Sequence, residues 1–332
     1  MRFVAFLLTK LLVYVLIIVI GVTVVFLVPR LLPSGPVEAL LARIMAGGGF
    51  MEPAQVESMR VSLTQTFGLE GTLWEQYRGF IERVLLAGDF GPSLAMFPTS
   101  VNVLIRQALP WTLGLLLTAT IIAWILGNVI GVIAGYRKDK AFSKVLELIA
   151  VAVYPIPYYI LALILIILLA YLWPVFPMSV HVRSAPLSLR FLATVVHNSF
   201  LPALSIIIVG VGWWVISMKA LSSSVCEEDF VQFARLRRVS DGTIMTRYVA
   251  RNAILPQITA LALMIGGVFN GALITEIIFD YPGLGSLTYM AVMQSDYNLL
   301  MGTVTLSIVA VATATLVIDL LYPFFDPRIR YR

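Results

Sequence analysis

Charged residues are absent from six long stretches of this chain, and those gaps define its predicted elements. Each gap accommodates a helix of about 20 residues, the length that crosses roughly 30 Å of hydrocarbon. The spans fall near residues 11–29, 110–135, 148–172, 199–218, 253–275 and 298–318. Apolar residues run on within them without the polar–apolar alternation of a β-barrel strand. The expected fold is an all-α membrane protein with six transmembrane helices. The first stretch, Leu11 to Val28, stays uncharged for 18 residues. That exceeds the about 7–15 apolar residues of a signal-peptide core, and no small-residue cleavage pattern follows it, so it is expected to remain a helix. In the fifth stretch Gly266, Gly267 and Gly271 offer small surfaces for close helix packing.

The segments between the spans divide the chain into an N-terminus with the first helix (1–29), a long polar-rich region (30–108), a core of five helices (109–325) and a tail (326–332). The long region has its own pattern. Thr72 followed by Glu75 reads as a capping box, and Leu73, Tyr77, Phe80, Ile81 and Val84 then recur at helical spacing until Gly88. The loop 219–256 is too regular for disorder. Glu227, Glu228 and Asp229 stand at the start of a predicted helix, where its positive end favours acids, and Arg235, Arg237 and Arg238 follow. Ser240-Asp241-Gly242 breaks the pattern, and a second helical stretch, Thr243 to Leu255, runs into Pro256. Two short helices with a corner make a knob, with Phe230, Val231 and Phe233 as apolar anchors beside a basic tip. Such a knob suits a groove in another protein; an ordinary basic loop held by lipid headgroups is the plainer alternative.

Composition agrees with the pattern. The chain is 60% hydrophobic and 12% charged, with mean hydropathy +0.94, against about 45–50% and 25% in soluble domains. The pI near 9.3 follows from topology. With the N-terminus inside, inner segments carry fifteen Lys and Arg against eight outside, and all five lysines fall inside. This asymmetry places both termini in the cytoplasm, makes the region 30–108 extracytoplasmic, and removes any need for a nucleic-acid partner; membrane lipid is the expected surrounding. One cysteine, Cys226, and two separated histidines, His181 and His197, argue against disulfide or metal chemistry. The sequence contains no Gly-x-x-x-x-Gly-Lys-Ser/Thr phosphate loop, no His-Glu-x-x-His and no Gly-x-Ser-x-Gly. A catalytic role is therefore not expected, and neither is a cofactor of its own.

Several fragments carry a resemblance. Asp229-Phe230-Val231-Gln232-Phe233-Ala234-Arg235 and Arg251-Asn252-Ala253-Ile254-Leu255-Pro256 resemble the EAA loop of the inner-membrane permeases of ABC importers. The likeness is greatest to the B-type half of the dipeptide, oligopeptide and nickel branch. Ser34-Gly35-Pro36-Val37, Phe67-Gly68-Leu69, Gly88-Asp89-Phe90-Gly91-Pro92-Ser93, Glu276 through Gly285, Asp319-Leu320-Leu321-Tyr322 and Asp326 through Arg330 match in order along nearly the whole chain.

The resemblance implies a permease working with a second homologous permease, two cytoplasmic ATPases that bind the ATP and Mg, and an extracytoplasmic solute-binding protein. The solute would be a short peptide, an oligosaccharide or a nickel chelate. It also implies that Asp229, Phe230, Val231, Phe233, Ala234, Arg235, Arg237, Arg238, Val239 and Ser240 form the coupling loop that docks on the ATPase. The chain departs from the family pattern at Arg238, where glycine is usual, and at Leu236-Arg237, where Ala-Lys is usual. Glycine serves where the backbone needs positive φ, so the departure predicts a differently built corner.

Three further features keep two readings each. Glu276, Phe279, Pro282 and Gly283 stand where the fifth span meets the outside. They form either an outer gate or binding-protein contact, or a structural turn that lets its acid reach water. Pro155 and Pro157 predict a kink or break in the third span, as a hinge or as a bend around neighbouring helices. The amphipathic helix after Thr72 either covers the bundle or meets the binding protein. The rival functions, a self-sufficient secondary transporter or channel and an intramembrane enzyme, would require ionisable groups inside the spans, and these are nearly charge-free.

Overall fold

The structure, a computed structural model, describes residues 2–31, 36–46, 52–66, 68–180, 188–268 and 272–325. Ser34, Gly35, Phe67, His181, Gly271 and the tail 326–332 lie outside the described residues. The described chain is all α-helical, with one isolated β-bridge between Pro92 and Ser100.

Among the described residues five helices are each long and apolar enough to cross a membrane: Phe6–Leu27, Val101–Tyr136, Leu189–Cys226, Asp241–Gly267 and Tyr297–Leu320. The expected third span is a bent pair which, taken as one broken span, makes the sixth. It forms α6 (Ala141–Val153) and a second stretch, Tyr158–Leu172, bent by 94°. The missing N–H groups of Pro155 and Pro157 end the ladder there, and the second stretch begins as α7 (Tyr158–Ile166). Neither half alone has the about 20 residues of a straight crossing. The fifth expected span also shifts. Instead of a short helix stopping before Pro256, α10 (Asp241–Thr243), a π-helical segment (Ile244–Ala250) and α11 (Arg251–Gly267) run on through it.

The chain divides into two compact units, one of Met1–Thr112 with Pro282–Leu316 and the other of Leu113–Tyr281 with Val317–Arg332.

In the first unit, α1 (Arg2–Leu27) is joined through a 3-10 turn (Val28–Leu31) to α2 (Pro36–Ala46), α3 (Pro53–Thr66) and α4 (Leu73–Ile81). The capping box forms as expected: Glu75 N donates to Thr72 Oγ1 at 3.3 Å, and Thr72 N donates to Glu75 Oε2 at 2.7 Å. Phe80 and Val84 are buried against Val22, Phe26, Tyr297 and Met301, with Tyr77 and Ile81 packed beside them. This is the covering role expected of an amphipathic helix, although Leu73 points out of the core. The beginning of α5 (Val101–Tyr136) packs through Val101, Leu104, Ile105 and Ala108 on α13 (Leu284–Met293) and the first turns of α14 (Tyr297–Phe325).

In the second unit the rest of α5 lies on α8 (Leu189–Cys226). A Cβ added at Gly127 would stand 2.3 Å from Trp214 Cβ, at Gly131 3.0 Å from the Val215 carbonyl, and at Gly135 2.6 Å from the Lys219 carbonyl. This Gly-x-x-x-Gly-x-x-x-Gly stripe repeats every four residues, so all three glycines face α8. Gly267, expected to serve such packing, has nothing within 4 Å of its would-be Cβ. The bent α6–α7 pair also packs on α8, where a Cβ at Gly212 would meet the Ala150 carbonyl at 3.1 Å and Tyr154 Cβ at 3.3 Å.

Candidate functional site

The knob is shorter than the loop 219–256. Lys219 to Cys226 belong to α8, so the connection proper begins at Glu227 and contains α9 (Asp229–Leu236). It has a small core of its own, formed by Cys226, Val231, Ala234, Ile244 and Val249, with Tyr136, Val239 and Tyr248 against it. Val231 is 0% exposed, so it holds the knob together and offers nothing to a groove, contrary to the expectation for it. Ala234 is buried likewise. The exposed apolar side chains are Phe230 (42%), Phe233 (60%) and Leu236 (81%). Their spacing of three sets them along one side of α9. Asp229, Arg235, Arg237, Arg238 and Ser240 are exposed around them, with Val239 half-buried.

The corner after α9 keeps the backbone that glycine would give. Arg238 has φ +60°. Its N–H donates to the Arg235 carbonyl at 2.9 Å, and the Val239 N–H donates to the Ala234 carbonyl at 3.2 Å. These two bonds are the Schellman pattern, with Arg238 in the left-handed position. The expectation of a differently built corner is therefore corrected: the peptide bonds satisfied at the helix end outweigh the steric strain of a Cβ at positive φ.

Polar contacts tie the knob to the end of α5. Lys138 Nζ lies 2.6 Å from Glu227 Oε1, and the Tyr136 hydroxyl donates to Asp241 Oδ1 at 2.9 Å. Gln232 Nε2 donates to the Cys226 carbonyl at 3.0 Å, and the Ser240 and Thr243 hydroxyls lie 2.8 Å apart. The hydrogen bond from Lys138, and then its charge, hold the Glu227 carboxyl below its ordinary range, while Glu227 raises Lys138. A push on α9 thus acts on a cored unit linked to α5, α8 and α11.

The residues expected at an outer gate are mostly inside. Glu276 and Phe279 are fully buried in or after α12 (Leu273–Ile278). Burial corrects the expectation that Glu276 reaches water. The turn after α12 repeats the Schellman pattern with Asp280 at φ +50°, Tyr281 N donating to the Glu276 carbonyl at 2.7 Å. Val180 N donates to the Phe279 carbonyl at 2.8 Å, and the Tyr281 and Ser199 hydroxyls lie 3.2 Å apart. These contacts support the structural-turn reading. Gly283 is buried and Pro282 exposed. Pro155 and Pro157 are exposed at the 94° bend, and the packing of the bent pair on α8 supports a bend around a neighbour.

Two features escaped the sequence reading. The α5 glycine stripe was visible as its four-residue repeat. The other, Asp296, is fully buried and accepts from the Ser93 hydroxyl, from Ala95 N at 3.0 Å and from Leu299 N at 3.0 Å. It ties the segment before α5 to the start of α14, and no local pattern announces it.

Comparison with known proteins agrees with this architecture. The family described as "Binding-protein-dependent transport system inner membrane component" matches residues 127–331, which include the knob. The chain is 28% identical over 316 residues to the oligopeptide transport system permease protein AppB of Bacillus subtilis, covering 95% of this chain and 96% of AppB. It is 30% identical to the dipeptide transport system permease protein DppB of Escherichia coli strain K12, covering 94% and 95%. The Bacillus subtilis protein of that name is 29% identical over 295 residues, covering 88% and 91%.

Proposed function

Because the chain belongs to the family of binding-protein-dependent transport system inner membrane components, we propose that it is a permease subunit importing dipeptides or oligopeptides under the control of partner ATPases. Full-length similarity to permeases named for those solutes supports peptide over an oligosaccharide or a nickel chelate. A second, homologous permease completes the path, and an extracytoplasmic binding protein delivers the solute. Two cytoplasmic ATPases bind ATP and Mg. Both termini lie in the cytoplasm, on the side that carries the lysines.

The observation that carries this reading is the exposed stripe of Phe230, Phe233 and Leu236 on a knob with its own core. Apolar side chains of that size on a short cytoplasmic connection call for a groove that covers them. Nucleotide-driven closure of the ATPases would move the knob as one body and, through α5, α8 and α11, change which side of the membrane the solute path faces. Nucleotide biases the two states because it interacts differently with each. The bend at Pro155 and Pro157, packed on α8, would travel with α8 in that motion as a fixed bend around it. The turn from Glu276 to Tyr281, closed by its own hydrogen bonds, would brace the end of α12 in that motion.

The test is co-purification of the intact chain against a Phe230→Asp, Arg237→Glu variant. We expect the ATPase to accompany only the intact chain and its turnover to respond to binding protein. If neither chain ever retains an ATPase, the self-sufficient transporter replaces this reading.

A further inference from the structure

The first unit contains a cavity of about 280 Å³ into which two arginines converge. Arg30 comes from the 3-10 turn that follows α1, three residues beyond the end of the span at Leu27. Its guanidinium lies 3.7 Å from the Phe26 ring centroid, its Nη1 donates to the Phe26 carbonyl at 2.9 Å, and its Nε donates to Gln76 Oε1 at 3.1 Å. Arg83 comes from the π-helical turn Glu82–Leu86. Its Nε is fully buried and has no hydrogen-bond partner among the described residues. Gly68 and Gly91, both at positive φ, flank it, and a Cβ at either would lie 3.8 Å from Arg83 Nη1.

Among the described residues no ion pair balances Arg30 or Arg83. Glu75 and Glu70 also line the cavity, but Glu75 is engaged with Thr72 and Glu70 is exposed. Among the described residues neither forms an ion pair with Arg30 or Arg83. Burial, and then the charge of Arg83, push the Arg30 pKa down to about 10. Two guanidinium groups sharing a partly dehydrated space repel, and a guanidinium is built to grip phosphate or carboxylate by two parallel hydrogen bonds. The site as it stands suits one anion.

Depth decides which anion. Thr23 lies inside the span, four residues before its end and therefore about 6 Å along the axis. Its hydroxyl is 2.8 Å from that of Tyr77. Helix α4 thus rests against the last turns of the span, at the level where hydrocarbon gives way to headgroups. Trp74, 71% exposed, and Leu73 project from the same helix, and tryptophan is enriched at that level. We propose that this cavity binds the phosphate of a phospholipid headgroup, held between the guanidinium groups of Arg30 and Arg83.

The test is native mass spectrometry of the full-length chain, with any co-purifying subunits, released from nanodiscs of phosphatidylglycerol and phosphatidylethanolamine. The wild type should retain one phospholipid. Arg83→Gln and the Arg30→Gln, Arg83→Gln pair should retain it at least about tenfold less, the scale of a lost charge-assisted bond. Arg78→Gln, which removes an exposed arginine paired with Glu82, should retain it fully. In lipid-free detergent Arg83→Gln should melt no lower than the wild type, because it removes one of two like charges. Should that variant fail to fold, Arg83→Lys provides the comparison, expected to fold and hold lipid more weakly. Equal retention by all variants overturns the proposal. So does protection by inorganic phosphate without retained lipid, or capture of an acidic peptide in place of lipid.

Discussion

The Val239 N–H reaches back over Arg238 to the Ala234 carbonyl at 3.2 Å, and this bond closes the helix at the tip of the knob. The same ending recurs at Asp280 and at Ser295, where Asp296 N donates to the Ala291 carbonyl at 2.8 Å. All three left-handed positions lack glycine. A left-handed residue with a Cβ costs about 1–2 kcal/mol, of which glycine's greater freedom in the unfolded chain returns about 0.4–1 kcal/mol. Arg238→Gly is therefore expected to be neutral or stabilising by up to about 1.5 kcal/mol, and Arg238→Val destabilising. Thermal unfolding in detergent reads both. Loss of ATPase association in the glycine variant would show that partner recognition uses the arginine side chain, since the backbone corner is kept.

Burial separates two roles on one short helix. Phe233→Ala and Leu236→Ala remove exposed groups, so their effect on unfolding should stay within about 0.5 kcal/mol, while association with the ATPase falls at least about tenfold. Val231→Ala should do the reverse in first order, destabilising by about 1–3 kcal/mol. A stable Val231→Ala protein would contradict the small core assigned to the knob.

The glycine stripe gives a paired comparison. Gly135→Ala puts a methyl 2.6 Å from the Lys219 carbonyl, forcing α5 from α8 at about 1–3 kcal/mol. At Gly267 the added methyl meets nothing, and helix propensity favours alanine by about 0.8–1 kcal/mol. Unfolding midpoints of the two variants should move in opposite directions.

Asp296 tests long-range capping. Asp296→Ala leaves the Ser93 hydroxyl and the Ala95 and Leu299 amides without their acceptor, at about 1–3 kcal/mol for each group that stays buried. Asp296→Asn retains one acceptor oxygen and should lose clearly less. Limited proteolysis between Gly88 and Ser100 would report release of that segment; equal resistance in both variants would argue against the tie.

The pH response of the knob follows from Lys138 and Glu227. Glu227 is lowered from 4.5 and Lys138 raised from 10.5 by their mutual hydrogen bond and charge. The glutamate's contribution is present above its unfolded value and lost as pH falls through the lowered folded value. The lysine's is present below its unfolded value and lost as pH rises through the raised one. The melting difference between wild type and Glu227→Gln should thus be flat across about pH 6–9, shrink below pH 4.5, and weaken in high salt because both groups are exposed.

Much of the architecture was legible in the order of residues. Uncharged stretches mark spans because a charge in hydrocarbon is costly wherever it stands. The capping box of Thr72 and Glu75 and the break at Pro155 and Pro157 are equally local: a side chain three residues away completes the first, and missing N–H groups cause the second. Even the stripe on α5 is written as a four-residue repeat.

What tertiary structure alone decided concerns partners far apart in the chain. Val231 and Phe233 are both apolar residues of α9, yet one is sealed beneath Ile244 and Val249 and the other exposed. Glu276 is buried although its residue type favours water, and Arg30 meets Arg83 across 53 positions of sequence. Hydrophobicity and helix caps act on a residue and its neighbours, so one sequence suffices to read them. Burial, orientation and charge coupling depend on which surfaces the folded helices bring together, and that is settled only by their packing.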